Sequence, residues 1–385
     1  MLSRRKLLAL AAAGGASSLL GGHARASAAG CWLGARVDAS GRAWASAFDA
    51  AGRHALDIAL PDRGHGFAAH PSGRWAVAFA RRPGDFARII DLADATVVRD
   101  IAAAAGRHFN GHGVFDAEGR RLFVTETIIA SGDGVLGIYD VADGYRRLGE
   151  VTTHGLDPHE VRLSCDGRHL VVANGGLLGH PDAPGAKLNI DTMDPSLVWL
   201  DTRDGHLVAQ ARMPEAFHKL GTRHLALAAD GAAVVVMQYE GPAGDPVPLV
   251  ARHRPGEAAL TPLALGEQAS RALEQYCGSA AVDVTGTVLA VSSPRGGLVV
   301  FHDLATDRPL GALSVTDGCG LAAAGTPGAF VVSSGLGQLV HATAGGGARP
   351  LGVARDDGTR WDNHLLRLTG DVAGVQSPPA AVRRS

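Results

Sequence analysis

Aromatic residues make up only 5% of this 385-residue chain, and it carries just four cysteines. Cys31, Cys165, Cys277 and Cys319 lie far apart, with no C-x-x-C or other short metal spacing, so a local thiolate metal knuckle is excluded. Beyond the N-terminus no apolar run reaches the roughly 18 residues that a membrane span requires, and no membrane span is expected. Basic charge is not in excess either, with 36 Lys+Arg against 38 Asp+Glu. Glycine is what abounds: 52 residues, about twice average usage. With 46% hydrophobic residues, this composition suits a fold of many short strands and turns.

The first 26 residues read as an export signal. Ser3-Arg4-Arg5-Lys6-Leu7-Leu8 opens an apolar stretch to Leu20, and Ala24-Arg25-Ala26 supplies a cleavage site. The arginine pair points to the twin-arginine route and a periplasmic protein. Ala28-Ala29-Gly30-Cys31 lacks the usual Leu of a lipidation box, and Arg25 separates it from the apolar core. Removing residues 1–26 takes away four basic residues and no acid, which leaves 32 Lys+Arg against 38 Asp+Glu and a formal charge near −6. That balance argues against nucleic acid as a partner.

A pattern recurs through the remainder: a His or Cys enters an apolar run, and a Gly-containing turn and a second apolar run follow. It reads His65-Gly-Phe-Ala-Ala-His70-Pro-Ser-Gly73, His112-Gly-Val-Phe-Asp-Ala-Glu-Gly119, His159-Glu-Val-Arg-Leu-Ser-Cys-Asp-Gly167 and His224-Leu-Ala-Leu-Ala-Ala-Asp-Gly231. Two later copies begin at Cys277 and Cys319, and the tail supplies Asp362-Asn363-His364. Each unit holds several short β-rich runs, which predicts a four-stranded antiparallel meander. Such sheets repeated every roughly 40 to 50 residues are the signature of a β-propeller.

Blades are expected at about 65–108, 112–155, 159–218, 224–272, 278–315 and 320–356. The ends supply a seventh. Trp361–Leu368 reads as a first strand without successors, whereas 32–37, 43–48 and 55–60 read as later strands without a first. Pairing of the N- and C-terminal strands would close an all-β, seven-bladed ring over 31–370, with 371–385 as a tail.

In a propeller the first strand lines the central channel and the second runs back beside it. Strand-one starts and strand-two ends therefore share one mouth. The starts give His65, His112, His159, His224 and His364 as candidate metal ligands, with Cys277 and Cys319 at the two remaining positions. Imidazoles, and thiols if they join, are a ligand set for Fe, Cu or Zn. Arg82, Glu126, Glu160, Asn174, Arg223, Gln238, Tyr239, Arg295, Asp362 and Asn363 are candidates for the mouth around them. Because a seven-fold ring spreads its first strands, two or three side chains are expected to meet at one ion. His65 and His159 lie 8 residues before the turn glycine and His112 and His224 lie 7, an offset that a site or a β-bulge would produce.

The blade that opens at His159 carries the longest irregular insert, 174–197, rich in Gly, Pro and polar residues. Such a loop is usually functional. It is expected to cover the mouth, with His180, Lys187 and Asp191 facing inward. Cys277 and Cys319 sit at equivalent places in adjacent blades, and neighbouring inner strands rarely bring Cα atoms within the roughly 7 Å a disulfide needs, so no bridge is expected.

Several long segments resemble one family. Arg107-His-Phe-Asn-Gly-His-Gly-Val-Phe115, His154-Gly-Leu-Asp-Pro-His-Glu160, Lys187-Leu-Asn-Ile-Asp-Thr-Met-Asp-Pro-Ser-Leu197, Gln238-Tyr-Glu-Gly241, Ser293-Pro-Arg-Gly-Gly297 and Trp361-Asp-Asn-His364 are similar to a domain-of-unknown-function family of exported bacterial propellers. Its genes often neighbour those of imelysin-type iron-uptake lipoproteins. The resemblance implies a periplasmic seven-bladed propeller linked to iron or another metal, with periplasmic iron-uptake proteins as partners, and brings no established activity. Where this chain has Cys277 the family often has Val.

The favoured reading is a monomeric, non-enzymatic binding or accessory protein for metal acquisition. An enzyme, either copper- or quinoprotein-like redox or lactonase-like hydrolysis, is the alternative. It would pair Glu126 or Glu160 with His112 or His159, since proton transfer needs such groups at hydrogen-bond range. A plain protein-interaction platform is the third.

Overall fold

A computed structural model describes residues 30–183, 185–352, 358–370 and 372–373. The expected signal segment, the lipidation-box residues Ala28 and Ala29, and nearly all of the 371–385 tail lie outside the described residues.

Seven four-stranded antiparallel sheets make up the chain, and in six of them the strands follow one another in sequence. Their first strands are Gly64–Ala69, Arg107–Phe115, Pro158–Leu163, Leu220–Leu227, Ser279–Val282, Gly318–Ala323 and Arg360–Leu368. Each of these strands touches the first strand of the next sheet, and the circuit closes on itself, which makes a seven-bladed propeller with an axial channel. The seventh blade is shared. Arg360–Leu368 pairs antiparallel with Cys31–Val37, Cys31 lying opposite Leu368, and Ala43–Asp49 and His54–Ala59 complete the sheet. The expected closure by the two ends is thus what the chain adopts, and it gives the seventh blade its inner strand.

Hydrophobic patterning follows the layers. Second strands such as Trp75–Ala80 and Ala233–Tyr239 are almost entirely apolar, because both of their faces pack against neighbouring blades. Outer strands such as Thr96–Ala102 and Arg308–Ser314 are mostly exposed. The core is consequently distributed between blades. Val77, Phe79 and Ile89 of one blade, for example, interlock with Phe109, Leu122 and Val124 of the next. Truncating a ring such as Phe79 to Ala would cost about 3–5 kcal/mol.

The recurrent turn has a local cause. Asp116 accepts backbone N–H groups from Arg120 and Arg121, and Gly119 sits at φ +70°, a conformation that favours glycine. The same arrangement recurs at Asp283, which accepts from the Thr287 and Val288 N–H groups, with Gly286 at φ +69°.

Candidate functional site

Bulges at the channel end of the inner strands aim the histidines inward. His65 and Gly66 fall where the register slips between Gly64 and Phe67, and 110–112 form a longer slip between Phe109 and Gly113. His159 and Arg223 are the extra residues of two further slips. Asp362 to His364 bulge opposite the strand Cys31–Val37. A bulge re-aims a side chain off the pleat. The place of each histidine in its slip gives the two offsets: His65 and His159 open theirs, 8 residues before the turn glycine, whereas His112 is the last residue of its slip and His224 the first beyond, 7 residues before.

Five imidazoles converge as a result. Ring centroids are 4.5 Å apart for His65–His364 and His112–His364, 4.7 Å for His224–His364, 4.8 Å for His159–His224 and 5.0 Å for His65–His112. All five are buried. Donor atoms of His112, Glu160, His224 and His364 lie within 4.8 Å of one another, and those of His65, His112 and His159 form a second, overlapping group. The channel therefore gathers more donors than the two or three expected, because the bulges extend the imidazoles toward the axis.

Two glycines make the convergence possible. A Cβ on Gly66 would lie 2.5 Å from the Gly111 carbonyl oxygen and 2.7 Å from His112 Nδ1. One on Gly111, whose φ is +97°, would lie 2.7 Å from His65 Cδ2.

Carboxylates orient two of the rings. His65 Nδ1–H donates to Asp362 at 2.7 Å, and Arg63 and Arg81 also bond to that carboxylate, at 2.8 and 3.0 Å. His224 Nδ1–H donates to Glu160 at 3.2 Å, where the Leu225 N–H and Arg162 also donate. The remaining three rings are different. His112 Nε2, His159 Nδ1 and His364 Nε2 are buried without a hydrogen-bond partner among the described residues.

Burial pushes the pKa of His112, His159 and His364 well below the ordinary imidazole range and also lowers that of His224. These rings are neutral at pH 7 and offer free lone pairs. Burial alone would raise Glu160 and Asp362, but the Arg162 guanidinium and the His224 hydrogen bond hold Glu160 low, and the His65 hydrogen bond with Arg81 and Arg63 holds Asp362 low. Both stay ionised.

The other candidate residues are placed as follows. Arg223 is buried and donates to Asp157 at 2.5 Å, and Arg82 binds the other oxygen of the same carboxylate. Asn174 is a buried wall residue, donating to the Thr153 carbonyl at 2.7 Å and to Ser196 Oγ at 3.2 Å. His180 and Lys187 line a mouth cavity with Arg82, and Lys187 also pairs with Glu240. Asp191 does not face inward: its side chain is 92% exposed and pairs with Lys219 on the surface. Asn363 donates its N–H to Asp362 at 2.8 Å. Gln238 bonds to the Cys277 carbonyl, Tyr239 to Asp245, and Arg295 stacks 4.2 Å over Tyr276.

Glu126 stands apart from the ring. Strand alternation turns Thr125 toward the His112 carbonyl and Glu126 the other way, where it lies along Gly137 and accepts from Tyr139 and Arg147, both at 2.7 Å. It belongs to the wall of its blade and has no imidazole of the ring as a hydrogen-bond partner. Both inner thiols also turn away. Cys277 Sγ contacts the Leu249 carbonyl inside the core, and Cys319 Sγ contacts the Asp362 and Ser333 carbonyls at 3.3 and 3.4 Å. Burial pushes each thiol up to about 12, and neither forms a disulfide. The donor set is therefore imidazole and carboxylate, without sulfur.

Sequence reasoning missed Asp157, Arg162 and Arg63. Arg162 was within reach, since it stands two residues after Glu160 on a strand and so shares its face. Asp157 sits at φ +55° just before Pro158, a local conformation with no residue signature.

Residues 58–368 match the family described as "Protein of unknown function (DUF1513)". No curated protein matches the chain. Among solved structures, the chain is similar to the hydrazine synthase of Kuenenia stuttgartiensis, with a TM-score of 0.57 and 13% identity over 88% of this chain and 100% of that one. At that identity the likeness concerns the propeller fold alone.

Proposed function

The chain belongs to the DUF1513 family, and we propose that it is a transition-metal-binding propeller that holds its ion in the buried imidazole cluster. One observation carries this reading: three imidazole nitrogens, on His112, His159 and His364, are buried without partners at the point where the rings converge. An unsatisfied buried polar atom costs about 1–3 kcal/mol. A metal ion turns that cost into a bond.

The donor chemistry narrows the ion. His112, His224 and His364 with the Glu160 carboxylate are nitrogen and oxygen donors that suit Fe(II) or Zn(II), and the withdrawal of both thiols disfavours Cu(I). Asp362 on His65 and Arg162 on Glu160 supply the outer hydrogen bonds that fix ligand orientation. Complete burial of the rings favours holding an ion over turning over a substrate, so the reading is of a non-enzymatic accessory protein. Export by the twin-arginine route would deliver it folded to the periplasm, where iron-uptake proteins are the partners proposed for it.

Elemental analysis of protein isolated from the periplasm and reconstituted separately with Fe(II) and Zn(II) tests the reading. About one ion per chain is expected, with loss in a His112→Ala/His364→Ala variant. A content below about 0.2 ion per chain after both reconstitutions would refute it.

A further inference from the structure

The mouth of the channel carries more positive than negative charge. Asp362 is shared by Arg63 and Arg81, Asp157 is shared by Arg82 and Arg223, and Glu160 holds Arg162. Five guanidiniums thus face three carboxylates. Arg223 is buried with its Nε unpartnered, and the charges of Arg82 and Arg223 bear directly on His159. A bare divalent cation entering here meets a repulsive field, which an accompanying anion would cancel.

Beside this network lies a cavity of about 270 Å³ lined by Arg81, Arg82, His108, Asp157, His180 and Lys187. At about 30 Å³ per water it has room for roughly nine waters, the scale of a small organic anion. Arg81, Arg82 and Lys187 keep 39%, 36% and 42% of their side chains accessible, so their remaining donors are open to a ligand. The guanidinium fork matches a carboxylate with two parallel hydrogen bonds.

We propose that this cavity binds a small di- or tricarboxylate, the anion with which the metal ion enters the channel. The role given to the anion rests on the metal reading above; the pocket itself does not.

Calorimetric titration of the metal-free protein with citrate, and in parallel with inorganic phosphate, tests the proposal. Citrate is expected to bind with a Kd below about 1 mM. Arg82→Gln and, independently, Lys187→Gln should each weaken it about tenfold or more. Arg82→Gln leaves Asp157 paired with Arg223, and thermal melts of both variants verify folding. No heat at up to about 10 mM citrate, unchanged affinity in both folded variants, or phosphate binding as tight as citrate would each overturn the assignment. Zn(II) titrations without citrate and with saturating citrate separate the two claims. Zinc uptake without citrate binding sinks this inference and leaves the metal reading, whereas citrate binding with no zinc uptake in either titration supports the pocket and sinks the metal reading.

Discussion

Replacing Asp157 by Asn probes the charge network that frames the channel mouth. The carboxylate is buried between Arg82 and Arg223, and those two guanidiniums keep its pKa below the usual range although burial would raise it. The Arg223 side chain is only 2% exposed, so the substitution leaves a buried charge without the carboxylate that pairs with it. Removing one partner of a buried ion pair costs about 3–5 kcal/mol. A domain of roughly 340 residues unfolds with an entropy near 0.7 kcal/mol/K, at about 2.1 cal/mol/K per residue, so Tm should fall by about 4–7 °C. Calorimetry on metal-free protein reads the change. The double variant Asp157→Asn/Arg223→Met, which removes the stranded charge as well, should recover most of the loss, since replacing a whole buried pair by apolar groups is often close to neutral. The deficit should also persist in high salt, because a buried pair is screened little. A drop below about 1 °C, or a double variant no better than the single, would refute the reasoning.

A second expectation concerns acid. Glu150, bonded by Arg107 and Arg147, has its pKa held down to about 2 from an ordinary value of 4.5, with the Arg107 hydrogen bond the leading cause. Its folded pKa is depressed, so its stabilisation is complete above the unfolded value and disappears as pH falls from about 5 toward 2. That shift corresponds to at most about 3 kcal/mol, which solvent screening of a quarter-exposed pair reduces to about 2. Urea melts of Glu150→Gln against wild type should differ by about that amount at pH 7 and converge near pH 2–3; a gap independent of pH would contradict the assignment. Gly111→Ala, finally, should destabilise by about 2 kcal/mol or more and weaken zinc binding, because the methyl meets His65 at an unfavourable φ. Unchanged zinc affinity measured by competition with a chromogenic chelator would mean that the close approach of the rings is not required.

The architecture was legible because it repeats. One unit of inner histidine, apolar run and Asp-Gly turn recurs often enough to count blades, and the two orphaned ends could pair only with each other. The five histidines were legible for the same reason. Glu126 was misplaced because successive residues of a strand face opposite ways, and the single step from Thr125 to Glu126 turns its side chain from the channel into the wall of the blade. Cys277 fails as a ligand because the strand after it, Ser279–Val282, pairs regularly with Val288–Ser293, without the slip that turns the histidines inward. The Asp362 partner of His65 lies 297 residues away and meets it only because the ring closes. Local spacing holds no trace of such a contact.

Closure has a consequence for biogenesis. His364 and Asp362 belong to the strand that seals the propeller and are synthesised after the other strands of the ring. Until that strand docks, His65 lacks its carboxylate and the four-donor group lacks a member. If the proposed ion binds there, its retention would report that the sealing strand has docked and the circle is whole.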